Sequence, residues 1–156
     1  MFAALIPRFG KQMIEVRTMA FYVQKRIPEI QSFLLKFVNN HSNIAESIAL
    51  YKRKETRARL NVVILVIPYE DGKLHLDEGF TAVSKEFSTT GMSFILPEPR
   101  GLDQVVIGLK FLGEMKFLLG RAVHLTPMGG GFYQLGLEFI EMLQPADFPE
   151  LAGLTI

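Results

Sequence analysis

The feature that most constrains the fold is a series of short apolar runs, separated by turn residues, between about residue 60 and residue 142. The runs are rich in β-branched and aromatic residues, which favour strands, and no stretch of helical periodicity stands between them. The pattern predicts six strands, at residues 61–67, 80–87, 91–96, 105–111, 117–125 and 132–142. Six short strands without intervening helices are typical of an antiparallel β-barrel or sandwich.

Turn residues support this division into strands. Asp71-Gly72 is a common two-residue turn signal, and Gly129-Gly130-Gly131 predicts a flexible hairpin tip between the last two strands. The segment that begins at Pro145 contains two prolines, and it predicts a single helical turn around residues 148–151.

The first fifty residues have a different, helical pattern. Pro28 is well placed to start a helix, because its missing N–H would be unpaired there in any case. The residues that follow place five apolar side chains on one helical face: Ile30, Phe33, Leu34, Phe37 and Val38. Further helices are predicted at residues 11–26 and 44–50. The chain is therefore predicted to be an α+β protein with an N-terminal helical segment, residues 1–50, and a barrel domain, residues 51–156.

Composition limits the class of protein. Of the 156 residues, 49% are hydrophobic, which is enough apolar material for a packed core. There is no cysteine, which excludes disulfides, thiolate metal sites and cysteine nucleophiles and favours a cytoplasmic location. No fully apolar run is longer than that from Val62 to Ile67, which is far shorter than the roughly 20 residues of a membrane-spanning helix, so no transmembrane segment is predicted.

Charge is distributed unevenly, although the net charge is only +1. Residues 51–60 carry five Lys or Arg against one acid, whereas residues 61–156 carry six against twelve. A short basic segment ahead of an acidic barrel favours binding of a specific anion, because bulk nucleic-acid binding requires a broadly basic surface. DNA binding is therefore not expected.

The first candidate binding segment is the basic stretch at residues 51–59, in which Arg53 and Arg57 are four residues apart. The planar fork of arginine can hold a phosphate with two hydrogen bonds or bind the O6/N7 edge of guanine. The alternative interpretation is a solvent-exposed linker between the helices and the barrel.

The second candidate segment, residues 86–91, joins two predicted strands. The hydroxyl of Ser88 and the backbone N–H groups of the turn could contact a phosphate or a base. Gly91 is expected to allow a positive φ at this turn. Taken alone, the segment is also compatible with an ordinary hairpin connection.

Together the two segments resemble the signature of PilZ domains. Arg53 and Arg57 match an R-x-x-x-R motif ahead of the first barrel strand. Ser88 and Gly91 match a D/N-x-S-x-x-G motif between the second and third strands. Residues 136–139 also resemble the glycine-plus-hydrophobic ending of the last strand in that family, so that the resemblance covers roughly residues 51–142.

The resemblance implies a six-stranded PilZ-type barrel that binds cyclic di-GMP, a bacterial second messenger, without any further cofactor. It implies ligand contacts at Arg53, Arg57, Glu86, Ser88 and Gly91. Glu86 departs from the family pattern, in which Asp or Asn stands at this position. The carboxylate is kept but lies one methylene further out, which weakens the expected contact.

Other functions stay open beside a cyclic di-GMP receptor with an unidentified protein target. One is a protein-interaction module that binds nucleotide weakly, and a homo-oligomer formed through the N-terminal helices is a further expectation. An OB-like barrel for single-stranded nucleic acid would carry basic and aromatic strands, which the acidic balance of the barrel argues against. His41, His75 and His124 form no close pair, so no metal site is predicted, and no acid–base or nucleophile pair indicates an enzyme.

Overall fold

The computed structural model describes residues 27–41 and 57–156 of the chain. The helices predicted at residues 11–26 and 44–50 lie outside the described residues. The predicted boundary between residues 1–50 and 51–156 also falls outside them, so the division into two regions stays a prediction.

Within the described residues, eight antiparallel strands form one sheet. They are β1 (Ala58–Arg59), β2 (Val63–Glu70), β3 (Lys73–Leu74), β4 (Phe80–Phe87), β5 (Gly91–Leu96), β6 (Gln104–Phe111), β7 (Glu114–Gly129) and β8 (Phe132–Leu143). Six of them close into a barrel in the order β4-β5-β8-β7-β6-β2, because β2 also pairs with β4. The two-residue strands β1 and β3 attach to β4 and β2. The six predicted strands are those that close, which confirms the α+β class with a six-stranded antiparallel barrel.

Alternation along the strands directs one set of side chains into the barrel. On β5, Phe94 and Leu96 are fully buried, as are Val105 and Ile107 on β6. Burying an apolar side chain of this size contributes about 1.5–3 kcal/mol relative to leaving it in water. These side chains belong to one main core, which explains why the apolar runs of the sequence are short and regularly spaced.

The helix at residues 27–41 packs across one end of the barrel. Its five predicted apolar positions are all buried in the main core, which confirms the predicted helical face. The ring centroid of Phe33 lies 5.6 Å from that of Phe111 at the end of β6, and Phe37 lies 5.3 Å from Phe87 at the end of β4. Among the described residues, no helix has the length and hydropathy needed to cross a membrane.

A second, smaller core lies on the outer face of the barrel, where Ile67, Val106 and Phe117 are buried. The segment that follows β8 turns back over this face. One turn of 3-10 helix at Pro149–Leu151 inserts the side chain of Leu151, which is only 1% exposed. The predicted single turn near residues 148–151 is confirmed.

The hairpin formed by β7 and β8 is longer than predicted, since β7 continues to Gly129 instead of ending at residue 125. Pro127 lies in this extension, although proline cannot donate to a ladder. β6 pairs with β7 only as far as Arg121, so the extension has β8 as its neighbour on one side only. Proline is tolerated at such an edge because no partner strand requires its N–H.

Candidate functional site

A cleft of about 240 Å³ opens on the outer face of the barrel, where β4 ends and β5 begins. Four of the five predicted site residues line it: Arg57, Glu86, Ser88 and Gly91. Arg53 lies outside the described residues. Arg57 of the first motif therefore meets the second motif, about thirty residues further along the chain, at one place on the barrel surface.

Arg57 is held at the cleft by the short strand β1. The residue after it, Ala58, is 4% exposed and pairs with Phe87 of β4. Arg57 Nη1 lies 3.7 Å from Glu86 Oε2, and the Arg57 side chain is 63% exposed. Such a long and exposed ion pair contributes little to stability, which leaves most of the guanidinium donors free to meet a ligand.

Glu86 reaches the cleft because of a bulge in β4. The pairing of β4 with β5 shifts register between Ser84 and Glu86. Ser84 and Phe87 are both fully buried although they are three positions apart, an odd separation that a regular strand would place on opposite faces. The extra residue at the bulge restores the alternation, so the Glu86 side chain points outward while Phe87 points into the core.

The Ser88 hydroxyl organises the turn between β4 and β5. Its Oγ accepts hydrogen bonds from the backbone N–H of Thr90 at 3.3 Å and from that of Gly91 at 3.0 Å. The Ser88 N–H also donates to the Gly91 carbonyl at 3.0 Å, which closes the turn. Because both contacts use the oxygen as an acceptor, the hydroxyl proton remains available to a phosphate or base in the cleft.

Gly91 is required for a reason other than the expected one. It does not have the positive φ that the sequence suggested. Instead, a Cβ at this position would overlap the backbone carbonyl oxygen of Leu137 on the neighbouring strand β8. The expectation of a positive φ was wrong because the close approach of two strands, which a single sequence does not display, also demands glycine.

Several cleft residues were not predicted as contacts. Ser93 and Gly136 lie opposite each other on β5 and β8, and His124 of β7 lies opposite Gly136. Glu138 adds a second carboxylate, and its Oε2 accepts a hydrogen bond from Arg121 Nη2 at 2.9 Å. The resemblance of residues 136–139 to a family motif was the signal for β8. A single histidine in a strand gave no such signal for His124.

A polar chain runs from Ser93, which lines the cleft, across three strands. Ser93, which is 5% exposed, accepts a hydrogen bond from Gln134 Nε2 at 3.0 Å. Gln134 Oε1 in turn accepts one from Lys85 Nζ at 3.0 Å. A satisfied chain of this kind fixes the orientation of the Ser93 side chain.

A larger groove, of about 820 Å³, lies at the other end of the barrel. Acidic side chains dominate its lining, among them Asp71, Asp77, Glu78 and Asp103, with Arg100 as a cation. This groove suits an anionic ligand poorly, because the like charges would repel it. Among the described residues, no group of three or more His, Asp or Glu side chains is arranged to hold a metal ion.

The fold and the cleft together define a helix-capped, six-stranded antiparallel barrel with a site of mixed charge on its outer face. No protein-family model matches the chain, and no curated protein matches it. Among solved structures, the chain is similar to the Bacillus subtilis inhibitor of motility (MotI/DgrA), with a TM-score of 0.45 and 9% sequence identity. The match covers 63% of this chain and 46% of that one, so the chain spans less than half of the other protein's length.

Proposed function

We propose that the chain is a PilZ-type receptor module that binds cyclic di-GMP in the cleft on the outer face of β4, β5 and β8. In this proposal it has no catalytic activity, acts in the bacterial cytoplasm, and passes the signal to a protein target through a change in its contacts. The single observation that supports the proposal best is the meeting of Arg57, Glu86, Ser88 and Gly91 in one cleft.

The chemistry of the cleft suits a guanine nucleotide better than a simple anion. Arg57 offers a fork for phosphate or for the O6/N7 edge of guanine. Glu86 and Glu138 would repel a bare phosphate, but a carboxylate can accept hydrogen bonds from the N1–H and N2–H donors of guanine. A ligand with both phosphates and guanine bases can place a phosphate against Arg57 and the N–H donors of a base against the carboxylates of Glu86 and Glu138.

Calorimetric titration with cyclic di-GMP tests this proposal. We expect heat of binding for the wild-type protein, and a loss of about two to four orders of magnitude in affinity for Arg57→Ala. The estimate assumes two charge-assisted hydrogen bonds worth about 1.5–3 kcal/mol each.

Arg100→Ala is the matched control for this titration. It also removes an arginine, but Arg100 lies in the acidic groove at the other end of the barrel and does not line the cleft. Affinity is expected to stay close to that of the wild type. Equal losses for Arg57→Ala and Arg100→Ala would indicate a general charge effect, and an absence of heat with the wild type would refute the proposal.

A protein-interaction module that binds nucleotide weakly is the second candidate. One observation favours it: the extended hairpin carries four large apolar side chains exposed to solvent, Val123, Leu125, Met128 and Phe132. Apolar groups clustered on a surface often mark protein contacts. Light scattering of the wild type and of a Leu125→Ser/Phe132→Ser variant tests it; self-association that the variant abolishes would favour this candidate. Assembly of a homo-oligomer through the N-terminal helical segment, residues 1–50, stays a prediction.

A further inference from the structure

The imidazole ring of His124 lies against the backbone of Gly136, its partner across the β7–β8 ladder. A Cβ placed on Gly136 would lie 2.7 Å from His124 Nδ1, 2.5 Å from Nε2 and closer still to Cε1. Three ring atoms thus occupy the space that any other side chain would need. Gly136 serves as a seat for this ring.

A bulge in β7 places the ring at this seat. The pairing of β7 with β8 shifts register between Ala122 and His124, so that His124 comes to lie opposite Gly136. Gly136 pairs on its other side with Ser93, and Ser93 pairs with Glu86. His124, Gly136, Ser93 and Glu86 thus form a row across four strands, and all four line the cleft.

The ring is open on the side that faces away from the glycine. His124 is exposed, and no hydrogen bond to its ring nitrogens is made by the residues in ranges 27–41 and 57–156. Packing on a glycine fixes the position of the ring without covering its outer face. A flat π-surface that is held in place and open to a cleft is a common way for proteins to bind a nucleobase.

The distances along the row leave room for one base. Gly136 and Glu86 are two strands apart, which corresponds to about 10 Å at the usual spacing of paired strands. A purine that stacks on the ring above Gly136 can therefore direct its Watson–Crick edge toward the Glu86 carboxylate. The longer side chain of Glu86, compared with Asp, suits this distance.

We propose that His124 is the stacking platform for a guanine base of the ligand and that Gly136 is the residue that seats it. This inference rests on the proposed function, because it names a specificity-determining residue of the same cleft. The role belongs to the face of the ring, so an aromatic ring is required at position 124 and a hydrogen-bonding group is not sufficient.

Calorimetric titration of four proteins with cyclic di-GMP tests the role of the ring. Loss of base stacking in His124→Ala is expected to lower affinity between about 5-fold and about 150-fold. His124→Phe is expected to keep most of the affinity, whereas His124→Gln, which keeps a hydrogen-bonding group, is expected to behave like the alanine variant. His75→Ala is the matched control, since His75 lies outside the cleft and should bind like the wild type.

A double-mutant cycle tests the seat. Gly136→Ala pushes the ring out of place, so it is expected to lower affinity in the wild-type background. In the His124→Ala background the added methyl group meets no ring, and little further loss is expected. Circular dichroism and thermal unfolding of each variant establish that it is folded before the titration.

The outcomes separate this inference from the proposed function. A wild type that gives no heat with cyclic di-GMP refutes the proposed function, and this inference with it. A wild type that binds while His124→Ala binds equally well overturns only the role of His124. The role of His124 would also be overturned if His124→Gln kept the affinity while His124→Phe lost it. The same holds if Gly136→Ala lowered the affinity equally in the wild-type and His124→Ala backgrounds.

Discussion

Phe37 of the helix and Phe87 of β4 are in ring contact, with centroids 5.3 Å apart, and both side chains are almost completely buried. Phe87 stands between Glu86 and Ser88, which both line the cleft. Because side chains alternate at this point, one short segment contributes to two surfaces: Phe87 faces the helix while its neighbours face the cleft. The helix is therefore one contact away from the candidate site.

The first prediction concerns this contact. Phe37→Ala is expected to lower the free energy of unfolding by about 3–5 kcal/mol, because it removes a fully buried aromatic ring and leaves a cavity. Asn39→Ala, on the exposed face of the same helix, is expected to change it by less than about 0.5 kcal/mol. Urea denaturation followed by circular dichroism measures both, and similar values for the two variants would contradict the packing of the helix on the barrel.

The second prediction uses two glycines as a pair. Gly91→Ala is expected to destabilise the protein by at least about 1–3 kcal/mol, because the added methyl group meets the backbone of Leu137 and the two strands must separate. Gly101→Ala meets no atom within 4 Å and has no positive φ, so stability is expected to be unchanged or slightly raised. Thermal unfolding of both variants checks this difference. An unchanged stability of Gly91→Ala would contradict the close approach of β5 and β8 at Gly91 and Leu137.

The third prediction concerns the turn between β6 and β7. Leu112 has a φ of 51° and Gly113 a φ of 80°, although leucine disfavours this region. Leu112→Asn is expected to raise the free energy of unfolding by about 1 kcal/mol, because Asn tolerates a positive φ and suits this two-residue turn. Leu112 is 73% exposed, so little burial is lost. Leu76→Asn, at an exposed position without positive φ, is the control and should give no such gain.

The fourth prediction concerns the turn that carries the second motif. Ser88→Ala removes the acceptor of two backbone N–H groups and is expected to cost about 1–3 kcal/mol of stability. Ser88→Thr keeps the oxygen and is expected to lose much less. Thr89→Ala, one residue further on, is the control. Amide hydrogen exchange at Thr90 and Gly91 should accelerate in Ser88→Ala only, and unchanged exchange would mean that the hydroxyl does not hold the turn.

Much of the fold could be predicted from the sequence because the signals are local. The β-branched runs located the six barrel strands, and the apolar spacing after Pro28 located the buried face of the helix. Closure of the barrel through β2 and β4 is a long-range pairing. The strand pattern alone left the choice between a barrel and a sandwich open, and the family resemblance was what implied a barrel. The outer core under Leu151 could not be predicted from the sequence either, because it depends on where the segment after β8 turns back.

The candidate site was predictable only where its residues formed motifs. Arg57, Ser88 and Gly91 were found because their order and spacing matched a known pattern. The bulges that aim Glu86 and His124 outward shift the register by one residue, and a shift of this kind leaves no mark in a single sequence. The seat at Gly136 requires knowledge of which side chain lies opposite it, which only the sheet pairing supplies.

The most direct test of the central claim is a chemical-shift map of the backbone amides during titration with cyclic di-GMP, since it reports both binding and its location. We expect saturable shifts concentrated at the cleft, at Arg57, Ser88, Gly91, Ser93 and His124, with small shifts around the acidic groove at Asp77 and Asp103. An absence of shifts up to millimolar nucleotide, or shifts centred on the acidic groove, would contradict the claim that this face of the barrel is the ligand site.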